Sequence, residues 1–141
     1  MAKYIVATPD EIPPGERKIV DIGGRSIGIF NIDGEFFAIR NSCPHQGGPL
    51  CKGHVTGFLT SPAPGTYTYT RKGEFLRCPW HNWEFDIKTG QSWWNPTQRR
   101  VRKYDIHVER GKDIAAPEKG PYIADTFPIT VEQQYLVIEI A

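Results

Sequence analysis

Cys43-Pro44-His45-Gln46-Gly47-Gly48-Pro49-Leu50 and Cys78-Pro79-Trp80-His81-Asn82-Trp83-Glu84-Phe85-Asp86 are the two stretches from which the rest of this chain can be read. Each begins with a cysteine followed closely by a histidine, the first as C-x-H and the second as C-x-x-H. The chain holds only three cysteines and four histidines, so these loops draw on most of its soft metal ligands. Two thiolates and two imidazoles make a complete four-ligand set. Zinc accepts that composition, but structural zinc sites usually pair like with like, cysteine with cysteine and histidine with histidine. Here each loop mixes the two. That arrangement suits a two-iron cluster in which each loop sends its Cys to one iron and its His to the other.

With both loops in view, the chain resembles the Rieske 2Fe–2S proteins. Thr89-Gly90 falls where a turn follows the second loop in that family, and the likeness runs from about Ala2 to the C-terminus. The resemblance implies an all-β fold: a Rieske-type antiparallel β-sandwich base with a small cluster-binding subdomain at about residues 41–97, all within one domain spanning 1–141. It implies a Rieske-type 2Fe–2S cluster as cofactor, with Cys43 and Cys78 on the buried iron and His45 and His81 on the outer iron. The charge of such a ligand set agrees with electron transfer. Four thiolates around the doubly positive oxidised core leave a dianion, whereas two thiolates and two neutral imidazoles leave no net charge, so an electron is added more easily. Potentials of about −150 to +300 mV follow, against about −400 mV for plant-type ferredoxins.

Composition agrees with this class. A length of 141 residues is enough for one domain with a real core. Fourteen glycines and twelve prolines, with no sustained helical periodicity, predict many turns between short strands. A formal net charge of +1 gives no reason to expect nucleic acid or an anionic membrane as partner. No apolar run is long enough for a membrane span or a signal peptide, and Cys51 has no obvious disulfide partner. A soluble, cytoplasmic protein is expected.

Strand signals fill the N-terminal third. Lys3-Tyr4-Ile5-Val6-Ala7 and Arg17-Lys18-Ile19-Val20-Asp21-Ile22 read as strands. Residues 25–32 form a third, with Ile27 and Ile29 on one face and Phe30 and Ile32 on the other. Asp33-Gly34 predicts a type I′ hairpin turn, which needs positive φ at both central residues, and Glu35-Phe36-Phe37-Ala38-Ile39-Arg40 returns to the first loop. Gly47 and Gly48 let backbone N–H groups approach the inorganic sulfides. Residues 55–76 read as an inserted hairpin or ordered loop, with Lys72-Gly73 as a separate turn. Trp83, Phe85 and Ile87 alternate on one strand face, and Trp93-Trp94-Asn95-Pro96 sits where the family places a third loop over the cluster. Tyr104-Asp105-Ile106-His107-Val108 reads as strand with His107 outward. Residues 111–125 read as an extension, and 126–131 with 135–140 as a closing hairpin. Cys51 and His54 are outside the ligand set. Gln98-Arg99-Arg100-Val101-Arg102-Lys103 is the one concentrated basic stretch, a solvated face or a surface that steers an acidic partner.

The expected function is one-electron carriage by a Rieske-type ferredoxin, from a reductase to an oxygenase or another oxidoreductase. Two alternatives stand beside it: a small subunit permanently bound to a larger redox enzyme, similar to those of nitrite reductases, and a zinc-bound structural module. The chain lacks G-x-G-x-x-G and has no room for a mononuclear-iron catalytic domain, so it needs a separate donor and acceptor. Respiratory members of the family have a Cys where Trp80 and Gly48 stand, and Ser and Tyr where Trp83 and Phe85 stand. Without those hydroxyl donors the reduced cluster is less stabilised, and a potential nearer about −150 mV is expected.

Overall fold

The computed structural model describes residues 2–43, 47–80, 84–92, 100–111, 122–123 and 133–140, with the backbone alone at 2, 58–62, 67–72 and 122–123. Among the described residues ten strands follow in chain order: β1 (Ala2–Ala7), β2 (Arg17–Ile22), β3 (Arg25–Ile32), β4 (Glu35–Arg40), β5 (His54–Ala63), β6 (Thr66–Arg77), β7 (Glu84–Asp86), β8 (Lys103–Arg110), β9 (Tyr122–Ile123) and β10 (Gln134–Ile140). They make a seven-stranded sheet in the order β2-β3-β4-β8-β10-β1-β9 and a three-stranded sheet β5-β6-β7. Every pairing is antiparallel except β1 with β9. The fold is therefore all-β, as the sequence predicts. No helix among the described residues is long and apolar enough to cross a membrane.

Alternation along β3 explains how two cores form. Ile27 and Ile29 point into one core with Val6, Ile12, Ile22, Ala38, Tyr104, Leu136 and Ile138, so the seven-stranded sheet curls around its own apolar face. Phe30 and Ile32 point the other way, into a second core with Ile39, Leu50, Leu76, Phe85, Ile87 and Val101. This second core joins the outer face of β3 and β4 to the three-stranded sheet. The β3–β4 turn is the predicted type I′, with φ of 51° at Asp33 and 92° at Gly34.

One local expectation is modified. Lys72-Gly73 does not end a strand: β6 runs through it, and the extra residues are absorbed where the β5–β6 register shifts between Thr56 and Phe58, with Gly73 at φ 82°. The 126–131 half of the expected closing hairpin lies outside the described residues, and its 135–140 half falls within β10. Both edges of β10 are occupied, by β8 and by β1. Trp93-Trp94-Asn95-Pro96 and most of the predicted extension at 111–125 also lie outside the described residues. Residues 55–76 do form a hairpin, but its base is part of the three-stranded sheet rather than an addition to it.

Candidate metal centre

The first loop leaves β4 and is held at both ends by one side chain. Asn41 Oδ1 accepts from Cys51 N at 2.7 Å and Asn41 Nδ2 donates to Ser26 Oγ at 3.1 Å, while Asn41 N donates to Ser26 O at 2.8 Å. Inside the loop, Gly47 N donates to Cys43 O at 2.6 Å, and Gly48 O accepts from both Cys43 N and Leu50 N at 2.8 Å. Gly47 sits at φ 78°, a conformation that costs glycine nothing and other residues strain. A single 3₁₀ turn at Leu50–Lys52 then leads into β5.

The second loop leaves β6 and returns as β7. Its ends are paired in the ladder, Arg77 opposite Glu84, and by an ion pair of 2.8 Å between Arg77 Nη2 and Glu84 Oε1. Behind it, Asp86 N donates to Gln91 O and Gly90 N to Asp86 O, closing the predicted Thr89-Gly90 turn with Gly90 at φ 78°. Val101 N donates to Gly90 O at 2.9 Å, which fastens that turn to the segment entering β8.

Cys43 and Cys78 end up in the same core. Each is almost completely buried, at 2% and 1% exposure, and both belong to the second core. Burying one Phe or Leu side chain there stabilises by about 1.5–3 kcal/mol, against about 1 kcal/mol for a typical hydrogen bond. Core packing beneath the loops, from Leu50, Leu76 and Phe85, therefore sets the positions of the two sulfurs more than the loop hydrogen bonds do. No disulfide joins any of the three cysteines. Two sulfur donors from separate loops, shielded from water beside glycine-rich backbone, fit one side of a two-iron cluster. The imidazole side rests on His45 and His81, which lie outside the described residues, as does Trp83. Among the described residues alone, no three His, Cys, Asp or Glu side chains gather as a metal-binding group.

Cys51 is a structural thiol, as the sequence predicts. It is fully buried, its Sγ lies 3.8 Å from the carbonyl oxygens of Ile39 and Arg40, and burial pushes its pKa up to about 12 from the ordinary 9.0. A methyl group on Gly28 of β3 would lie 2.7 Å from Cys51 Cβ and overlap the sulfur, so Gly28 makes room for it. His54 is exposed at the start of β5, and His107 pairs with Glu109 at 2.9 Å on the outer side of β8.

Sequence reasoning missed the residues that join the base to the loops. Arg17 Nη1 on β2 donates to Gly53 O at 2.5 Å, and Gly53 packs against the Arg77 carbonyl just before Cys78. Asn41 carried a faint signal, a turn-forming residue at the end of a strand. Gly48 was read only as a glycine that lets backbone N–H groups approach the sulfides, and its contact with the other loop was missed. A Cβ there would lie 2.8 Å from Trp80 Cδ2, which shows that the loops touch.

Residues 2–105 match the family model described as Rieske [2Fe-2S] domain. The biphenyl dioxygenase ferredoxin subunit of Pseudomonas sp. (strain KKS102) is 32% identical over 105 residues, covering 74% of this chain and 82% of that protein. The 3-phenylpropionate/cinnamic acid dioxygenase ferredoxin subunit of Escherichia coli (strain K12) is 30% identical over 112 residues, covering 79% and 91%. Among solved structures, the ferredoxin of carbazole 1,9a-dioxygenase from Nocardioides aromaticivorans IC177 superposes with a TM-score of 0.60 at 26% identity, covering 77% of this chain and 91% of that one.

Proposed function

Since the chain belongs to the Rieske [2Fe-2S] domain family, we propose that it works as a ferredoxin, accepting one electron from a reductase and delivering it to an oxygenase. Its cofactor is a Rieske-type 2Fe–2S cluster, which when bound supplies reversible one-electron transfer. The observation that carries the reading is the burial of Cys43 and Cys78, from two loops, in one core. We assign these two thiolates to one iron and the imidazoles of His45 and His81 to the other.

The residues around the thiolates do the rest. Phe85, Leu76 and Leu50 exclude water from one side of the sulfurs. Phe85 is fully buried and has no hydroxyl to donate, which supports a potential in the lower part of the Rieske range, nearer about −150 mV. The acceptor is taken from the relatives, which are ferredoxin subunits of dioxygenases acting on aromatic compounds. Three cysteines without a disulfide fit a reducing compartment, and we place the protein in the cytoplasm.

Reconstitution tests this. The purified protein is reduced by a ferredoxin reductase with NADH and titrated into a Rieske dioxygenase, and product formation is followed. Turnover that rises and saturates with this chain supports the proposal. A reducible protein that drives no dioxygenase and co-purifies at fixed stoichiometry with a larger enzyme overturns it in favour of a bound subunit. A colourless, zinc-containing protein overturns it altogether.

A further inference from the structure

We propose that Trp80 is a positioning residue that clamps the two cysteine-bearing loops together through Gly48, and that this clamp limits how far water reaches the buried sulfurs. The inference rests on the assignment of Cys43 and Cys78 as iron ligands. It does not depend on which protein receives the electron.

A Cβ built on Gly48 would lie 2.8 Å from Trp80 Cδ2, 3.0 Å from Cγ and 3.1 Å from Cε3. The indole therefore lies directly on the backbone of the other loop. Gly48 is not among the glycines with positive φ, so its backbone could accept a side chain. What excludes one is the ring. Gly48 is buried while Trp80 remains 56% exposed, the highest value for a large apolar side chain among the described residues. Trp80 is not a member of either core, so its packing serves the loop contact.

The contact reaches both sulfurs through short paths. Gly48 O accepts from Cys43 N at 2.8 Å, so a shift of Gly48 pulls on the Cys43 backbone. Trp80 is two residues after Cys78 in the same turn. A glycine and a tryptophan form no covalent cross-link, so the contact between Gly48 and Trp80 is one of packing. Removing the ring frees the contact between two loops whose cysteines are almost inaccessible, at 2% and 1% exposure. Loops that part more easily admit water to the sulfurs, and water favours the more negative, reduced state and raises the midpoint potential.

A double-mutant cycle on the purified holoprotein tests the clamp with no oxygenase present, so failure of the oxygenase assignment and failure of the clamp are distinguishable. The readouts are the midpoint potential and the rate at which an iron chelator bleaches the visible absorption. Trp80→Ala and Gly48→Ala are each expected to speed bleaching by roughly two- to tenfold, the range that one aromatic contact carries, and to raise the potential. In the Trp80→Ala background, Gly48→Ala is expected to add almost nothing, because the ring it displaces is already gone. Multiplicative rate effects in the double variant overturn the proposal, and so does an unchanged potential in Trp80→Ala. If Gly48→Ala does not fold, Trp80→Phe decides. The smaller ring must fall between wild type and Trp80→Ala in both readouts, and a Phe variant indistinguishable from Ala overturns the clamp.

Discussion

Gly53→Ala is expected to separate the metal centre from its base. Gly53 has φ −76° and ψ −177°, a conformation open to any residue, so alanine pays no backbone penalty and the effect is steric alone. The added methyl would overlap the Arg77 carbonyl oxygen and lie 2.8 Å from its carbon, with the Leu50 oxygen 3.1 Å away. Carbon–carbon contacts are comfortable at about 3.5–4.0 Å, so β5 and β6 must part by at least about 0.7 Å at that point. The atoms in the way are backbone, and no rotamer change relieves them. Arg77 is also paired with His54 in the ladder and immediately precedes Cys78, so the displacement enters the second loop. Overpacking typically costs about 1–3 kcal/mol, and a rigid obstacle on both sides places this variant near about 3 kcal/mol. For a chain of this size the melting temperature falls by about 10 °C. Thermal unfolding of the holoprotein gives the stability, and the ratio of visible to protein absorption gives the cluster content. Both are expected to drop. Gly28→Ala is the control, because its obstacle is the Cys51 side chain, and Cys51→Ala should restore part of the lost stability there but none in Gly53→Ala. A Gly53→Ala protein with wild-type melting and full cluster content would refute the steric argument.

Other outcomes follow from the same structure. Cys51 keeps its proton in the folded chain up to about pH 12 but only to about 9.0 when unfolded, so its contribution to stability is intact below pH 9.0 and is lost as pH rises between those limits. The loss is at most about 4 kcal/mol at about 1.4 kcal/mol per pH unit; Cys51→Ala should flatten the decline in denaturant titrations, and identical slopes would exclude this role. Alanine at Cys43, His45, Cys78 or His81 should abolish normal cluster incorporation, whereas Cys51→Ser should keep iron per chain at the wild-type value. Phe85→Tyr, which places a hydroxyl in the core shared by Cys43 and Cys78, should raise the midpoint potential measured by voltammetry, and a lower potential would show that the hydroxyl does not donate to a sulfur. Arg40 N at the end of β4 donates to the oxygen of Arg102, the residue before β8, and both side chains are exposed close to the start of the first loop. Changing both to Gln should weaken the salt dependence of electron delivery to an acidic partner, and an unchanged salt profile would assign the basic stretch to solvation.

The features legible in the sequence are those decided by residues close to each other along the chain. Asp33-Gly34 specified its turn because both φ angles are set locally. The alternation of Ile27, Ile29, Phe30 and Ile32 specified two faces because a strand repeats every second residue. The family was readable for the same reason: affinity for iron depends on side-chain type and loop spacing, and the match over residues 2–105 agrees with that reading of the family. Where neighbours come from afar, the sequence was silent or misleading. Residues 135–140 showed a strand but not that β8 and β1 would take both its edges. Lys72-Gly73 carries the chemistry of a turn and Gly73 takes φ 82°, yet the β5–β6 ladder resumes beyond it, so the local bend is absorbed in a register shift that only the partner strand reveals. The glycines make the distinction sharpest. Gly47 is needed for its own φ, which composition and context suggest. Gly28, Gly48 and Gly53 are needed for Cys51, Trp80 and Arg77, which approach from distant parts of the chain. A close approach is a property of two surfaces, and only the packed tertiary structure brings both together.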